Sequence, residues 1–194
     1  MLGHATAAAA AKLLASGAFV ALALRVGAPH SNYGRLILLG LALSWVGDVL
    51  LIGQSRWFFL LGLGAFLLAH FAYLTAFIRR GVNTRWLATA ALPVAATAIA
   101  IAAWLMPLTP TELRSPVLLY TAAISLMLAT AIGTHGHRAS AFIVAGALLF
   151  FVSDLSVAAL RLAETDSPTY IWGLPLYYAA QVFLALSTSQ SRSH

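Results

Sequence analysis

The chain has 194 residues, 61% hydrophobic and 8% charged, and its mean hydropathy of +0.90 excludes an ordinary soluble globule in favour of a polytopic helical membrane protein. Its formal charge of +6 does not point to nucleic acid, because the basic residues stand singly between apolar runs and form no patch. The absence of cysteine excludes disulfides and thiolate metal sites and leaves the redox compartment unread.

Crossing the hydrocarbon core takes about twenty helical residues. Seven stretches meet that length, at 5–25, 35–53, 57–79, 86–106, 115–133, 139–161 and 168–188. The expected fold class is therefore all-α, a single transmembrane helix bundle over residues 1–194. The Ala-rich first stretch lacks a basic n-region and carries Lys12 inside its apolar run, so it is expected to be a retained helix rather than a signal peptide. The second contains Gly40-Leu41-Ala42-Leu43-Ser44-Trp45-Val46-Gly47-Asp48, which sets a carboxylate inside an apolar segment. In the third, Gly62-Leu63 precedes Ala69-His70, and Gly53, Gly62 and Gly64 are expected to allow close helix approach. Pro93 lies in the fourth stretch and Pro175 in the seventh, where a kink is tolerated if neighbours satisfy the freed carbonyls. After the fifth, His135 and His137 resemble a metal-binding pair, but they have no partner acids and no metal is expected there. The sixth repeats the second as Gly146-Ala147-Leu148-Leu149-Phe150-Phe151-Val152-Ser153-Asp154, and the seventh repeats the third as Gly173-Leu174 before Ala180-Gln181. Stretches two and six run in one direction, as do three and seven, which predicts a parallel internal repeat of two hairpins.

Loop charges set the expected orientation. One side carries Arg25, Arg35, Arg79, Arg80, Arg85, Arg138 and Arg192; the other carries Arg56, Arg114 and Arg161 together with Glu112, Glu164 and Asp166. By the positive-inside rule the C-terminus is cytoplasmic and the N-terminus is outside, in what is expected to be a bacterial inner membrane. Trp57, Trp86, Trp104 and Trp172 fall near the ends of their stretches, as an interfacial belt requires.

At a rise of 1.5 Å per residue, Asp48 lies about 8 Å, Lys12 and Asp154 about 10–12 Å, Ser44 and Tyr177 about 13–15 Å, and His70 and Gln181 about 20 Å from the outer end of their helices. These residues are expected to form one polar pocket in the outer half of the bundle. The helical i, i+3, i+4 neighbours add Tyr73 beside His70 and Tyr178 beside Gln181. An intramembrane carboxylate costs about 2.5–3.5 kcal/mol even on a lenient insertion scale, so two of them mark a functional site by default. The structural alternative is an ion pair, for instance Lys12 with Asp48, that locks helices together. Two desolvated carboxylates are suited to acid catalysis through an oxocarbenium-like state, one as acid and one as anion. Asp154, flanked by Phe150 and Phe151, is the one expected to act as acid. No Gly-x-Ser-x-Gly elbow is present to favour serine hydrolysis.

The motifs Ser44-x-x-Gly47-Asp48, Gly62-Leu63-Gly64-Ala65-Phe66-x-x-Ala69-His70-x-x-Tyr73, Gly146-x-x-Leu149-Phe150-x-x-Ser153-Asp154 and Tyr177-Tyr178-x-x-Gln181 resemble the YhhN family of lysoplasmalogenases over residues 12–181. The resemblance implies a membrane hydrolase that cleaves the vinyl ether bond of a lysophospholipid, yielding a fatty aldehyde and a glycerophospho-alcohol. Asp48 and Asp154, the two intramembrane carboxylates, are the expected catalytic residues. Lys12, Ser44, His70, Tyr73, Tyr177, Tyr178 and Gln181 are the expected substrate-binding residues, with Lys12 meeting the phosphate. No cofactor is expected. The family has eight spans with Lys-Pro near the start of the second; this chain is expected to begin at that second span, with Lys12-Leu13 there. Two other readings use the same acids: a metal-dependent lipid hydrolase with His70, Asp48 and Asp154 as ligands, and a small proton-coupled transporter.

Overall fold

The computed structural model describes residues 2–53, 55–137, 140–162 and 169–189. Of the charges that set the expected orientation, Arg138, Glu164, Asp166 and Arg192 lie outside the described residues. Among the described residues there are seven α-helices and no strand: α1 (Leu2–Arg25), α2 (Asn32–Leu50), α3 (Arg56–Arg80), α4 (Thr84–Leu105), α5 (Thr111–Gly133), α6 (Ala141–Leu162) and α7 (Tyr170–Leu186). Five of them, α2 to α6, are long and apolar enough to cross a membrane by length and composition, and α7 is a shorter apolar helix.

The helix ends follow local chemistry. Gly27, at φ 88°, lets the chain leave α1 through the left-handed region, and Gly81, at φ 109°, does the same after α3. Ser31 caps α2 by accepting from the Gly34 backbone N–H at 2.9 Å. Ser55 caps α3 through the Phe58 N–H, and Asn83 caps α4 through the N–H groups of Arg85 and Trp86. Pro93 and Pro175 are accommodated within continuous helices.

Consecutive helices form three antiparallel hairpins, α2–α3, α4–α5 and α6–α7. Contacts of α1 with α2 and α7, of α3 with α5 and of α5 with α6 close six helices into a ring, and α4 lies outside it against α5. The ring interior is filled by Phe19, Ile37, Leu41, Phe77, Met127, Ile143, Phe150 and Leu184, all buried. Small residues bring the hairpins together. A Cβ added at Gly40 would stand 2.3 Å from the Tyr73 ring, and one at Gly146 would stand 2.9 Å from Leu184 Cγ. One added at Gly62 would meet the Gly47 carbonyl at 3.4 Å, and one at Gly173 the Ser153 carbonyl at 3.7 Å. Both pairs of contacts fall at matching offsets in the two hairpins.

Candidate active site

The carboxylate of Asp48, in the last turn of α2, is 2% exposed and holds three partners. Lys12 Nζ on α1 pairs with Oδ1 at 3.2 Å, while the hydroxyls of Ser16 on α1 and Tyr177 on α7 donate to Oδ2 at 2.5 and 2.8 Å. Lys12 and Ser16 are four residues apart, so a single face of α1 supplies both. A buried anion needs this arrangement, since desolvation is offset only by a countercharge and well-placed hydrogen bonds.

Asp154 on α6 has a different set. Tyr120 on α5 donates its hydroxyl to Oδ2 at 2.8 Å. His70 Nε2 on α3 lies 3.5 Å from the same oxygen, without the alignment of a hydrogen bond, and neither nitrogen of this fully buried ring has a well-aligned partner. The imidazole sits among rings, 4.7 Å from Phe150 and 5.1 Å from Tyr120 between centroids. Phe150 and Phe66 in turn contact Tyr177, the residue whose hydroxyl donates to Asp48.

Both aspartates line one cavity of about 240 Å³. Its wall is otherwise mostly apolar and comes from all seven helices, including Phe59, Leu63 and Phe66 of α3, Ile101 and Leu105 of α4, and Val117 and Ile124 of α5. Most of the lining comes from the half of the bundle that holds the α2–α3 and α6–α7 connections.

Of the predicted site residues, Lys12, Asp48, Asp154 and Tyr177 line the cavity. His70 reaches Asp154 from behind the wall. Ser44, Tyr73 and Gln181 form a separate buried chain deeper in the ring: Tyr73 donates to Gln181 Oε1 at 2.8 Å, and the Ser44 hydroxyl stands 3.5 Å from the Tyr73 hydroxyl. Ser44 thus turns toward Tyr73 rather than toward Asp48 one turn away. Tyr178 is half-buried against Tyr177 and is not part of the cavity wall. His135 packs on Trp86, and among the described residues no three His, Asp or Glu side chains are grouped as a metal site would require. Ser16 and Tyr120, which hold the two carboxylates, are not among the residues expected from sequence. Ser16 was accessible from its i+4 spacing to Lys12; Tyr120 belongs to no motif and carried no such signal.

The profile of the YhhN family matches residues 7–188. A bovine protein named lysoplasmalogenase TMEM86A (Bos taurus) is 32% identical over 162 residues, covering 80% of this chain and 66% of that protein. Proteins named lysoplasmalogenase from Mycobacterium bovis and Mycobacterium tuberculosis are each 30% identical over 191 residues, covering 95% of this chain and 71% of theirs. The chain thus spans about two thirds of the length of these curated relatives. No solved structure matches it.

Proposed function

This chain belongs to the YhhN family, and from that premise we propose that it is an integral membrane hydrolase that opens the vinyl ether bond of a lysophospholipid, with Asp48 and Asp154 as its catalytic pair. The observation that carries the reading is that two carboxylates with unlike partners line one apolar cavity. Asp48, with a cation and two hydroxyl donors, is the anion; Asp154, facing one hydroxyl and an imidazole, is the acid.

Asp154 transfers its proton to the β-carbon of the vinyl ether, converting it to an oxocarbenium ion whose charge Asp48 stabilises across the cavity. Asp48 then takes a proton from the water that attacks the α-carbon, giving a hemiacetal. Collapse of the hemiacetal breaks the bond to the glycerol oxygen. The hemiacetal O–H gives its proton to Asp154 and Asp48 passes the proton it took to the glycerol oxygen, so the fatty aldehyde leaves, both carboxyl groups are reset and the net addition is one water. Tyr120 and His70 are positioning residues for Asp154; Lys12, Ser16 and Tyr177 serve Asp48 in the same way. Ser44, Tyr73 and Gln181 act further back, fixing α2, α3 and α7 relative to one another. The alkyl chain lies along the Leu and Phe side chains of the wall. In the orientation favoured by the loop arginines, the cavity belongs to the non-cytoplasmic half of the membrane.

Mass spectrometry of purified protein incubated with a 1-alkenyl lysophospholipid and its ester-linked counterpart tests the reading. Aldehyde is expected from the alkenyl lipid alone, and Asp48→Asn and Asp154→Asn are each expected to lower turnover by about two orders of magnitude or more, the scale of a lost general acid or base, with folding retained. Either variant keeping most of its turnover would remove the paired-acid assignment.

A further inference from the structure

Among the described residues, the cavity wall contains two positive side chains, Lys12 and Arg161. Lys12 is committed to Asp48 at 3.2 Å. Arg161 stands apart from both aspartates: it is exposed, in the last turn of α6, with its guanidinium carbon 5.6 Å from the centre of the Phe59 ring on α3. This cation–π contact engages one face of the guanidinium, and the same side chain lines the cavity.

Arg161 follows Asp154 by seven residues. Seven residues are two helical turns to within about 20°, so both side chains leave the same face of α6, separated along its axis by about 10.5 Å. In a 1-alkenyl glycerophospholipid the carbon that accepts the proton is joined to phosphorus through seven bonds. A chain advancing about 3.8 Å per three bonds covers about 9 Å in that number. With the vinyl carbon at Asp154, the phosphodiester therefore falls beside Arg161.

Resting on the hydrolase reading above, we propose that Arg161 binds the head-group phosphate and so determines specificity for phospholipid over phosphate-free alkenyl glycerol. The guanidinium presents paired donors that match phosphate oxygens. Arg114 is exposed at the same end of the bundle, with its Nε on the Thr109 carbonyl at 3.3 Å, but it is not part of the cavity wall. It serves as the control for diffuse attraction between a basic surface and an anionic lipid.

Steady-state kinetics on purified protein with 1-alkenyl-glycerophosphoethanolamine and with 1-alkenylglycerol of the same chain length tests the assignment. Arg161→Ala is expected to raise KM for the phosphodiester about tenfold, the loss of one charge-assisted contact, with kcat little changed and the preference for the phosphodiester reduced by the same factor. Arg161→Lys should recover part of that preference, and Arg114→Ala should leave it intact. An equal loss on both substrates, no loss on either, or the same loss from Arg114→Ala would overturn the proposal. If the unaltered protein releases aldehyde from neither substrate, the hydrolase reading fails. Thermal stabilisation by a non-cleavable 1-alkyl-glycerophosphoethanolamine then decides the phosphate site separately: it survives if Arg161→Ala abolishes that stabilisation and falls if it does not.

Discussion

At the scale of single residues, Lys12 and Asp48 show why a charge is tolerated at this depth. Asp48 is almost fully enclosed, and its one cation is 24% exposed, so the ammonium keeps some hydration while neutralising the carboxylate. Replacing Lys12 with Met strands the carboxylate, and the expected cost is about 1–3 kcal/mol, below that of a wholly buried pair because of this exposure. Adding Asp48→Asn to Lys12→Met should restore most of the loss, which thermal unfolding of the four proteins in detergent would measure as a double-mutant cycle. The expectation that Lys12 and Asp48 lie at similar depths rests on their distance to the helix ends; the same arithmetic sets His70 about 8–10 Å deeper than Asp154, whereas the two side chains stand 3.5 Å apart. Depth carries no information about rotation around the helix axis. For that reason Tyr120, at a similar depth on α5, is not among the residues expected from sequence, and Ser44, four residues before Asp48 on the same helix, turns its hydroxyl to Tyr73.

At the scale of elements, the glycines of the two long-motif hairpins divide into those that seat a neighbour and those that do not. Gly40→Ala is expected to destabilise by about 1–3 kcal/mol, the cost of overpacking against a fixed ring, because its Cβ would run into the buried Tyr73 side chain. At Gly64→Ala, where nothing lies within 4 Å, the change should be neutral or slightly stabilising. Comparing the melting temperatures of both variants checks the pair. The matching contacts of Gly40 with Gly146, and of Gly62 with Gly173, support the proposal that α2–α3 and α6–α7 are related units. Helix existence was legible because each apolar run is long and its ends carry Gly, Ser or Asn. Boundaries moved by a few residues where a cap decided them: α2 starts at Asn32, directly after the Ser31 cap, rather than at residue 35.

For the whole molecule, loop charge predicts an orientation that the chain is well suited to test, since it has no cysteine of its own. A single cysteine at exposed Glu112 should react with a membrane-impermeant thiol reagent from outside intact cells, and one at exposed His135 only after permeabilisation. The reverse pattern would place the cavity on the cytoplasmic side. Which helices touch could not be read from the sequence, because Ala- and Leu-rich helices present similar faces all round, and in a membrane association depends on packing detail rather than on hydrophobic periodicity. The ring, and the exclusion of α4 from it, belong to that unread part.

The outlying position of α4 has a consequence for chain length. This helix is seamed to the rest of the bundle chiefly along α5, yet its Ile101 and Leu105 complete the enclosure around the aspartates. In the proposed reading an alkyl tail lies against this panel, so the side chains of α4 bear on the tail length that fits. Ile101→Trp, which thickens that panel from within, should move the optimum toward shorter tails, read from turnover across a homologous series of alkenyl lipids.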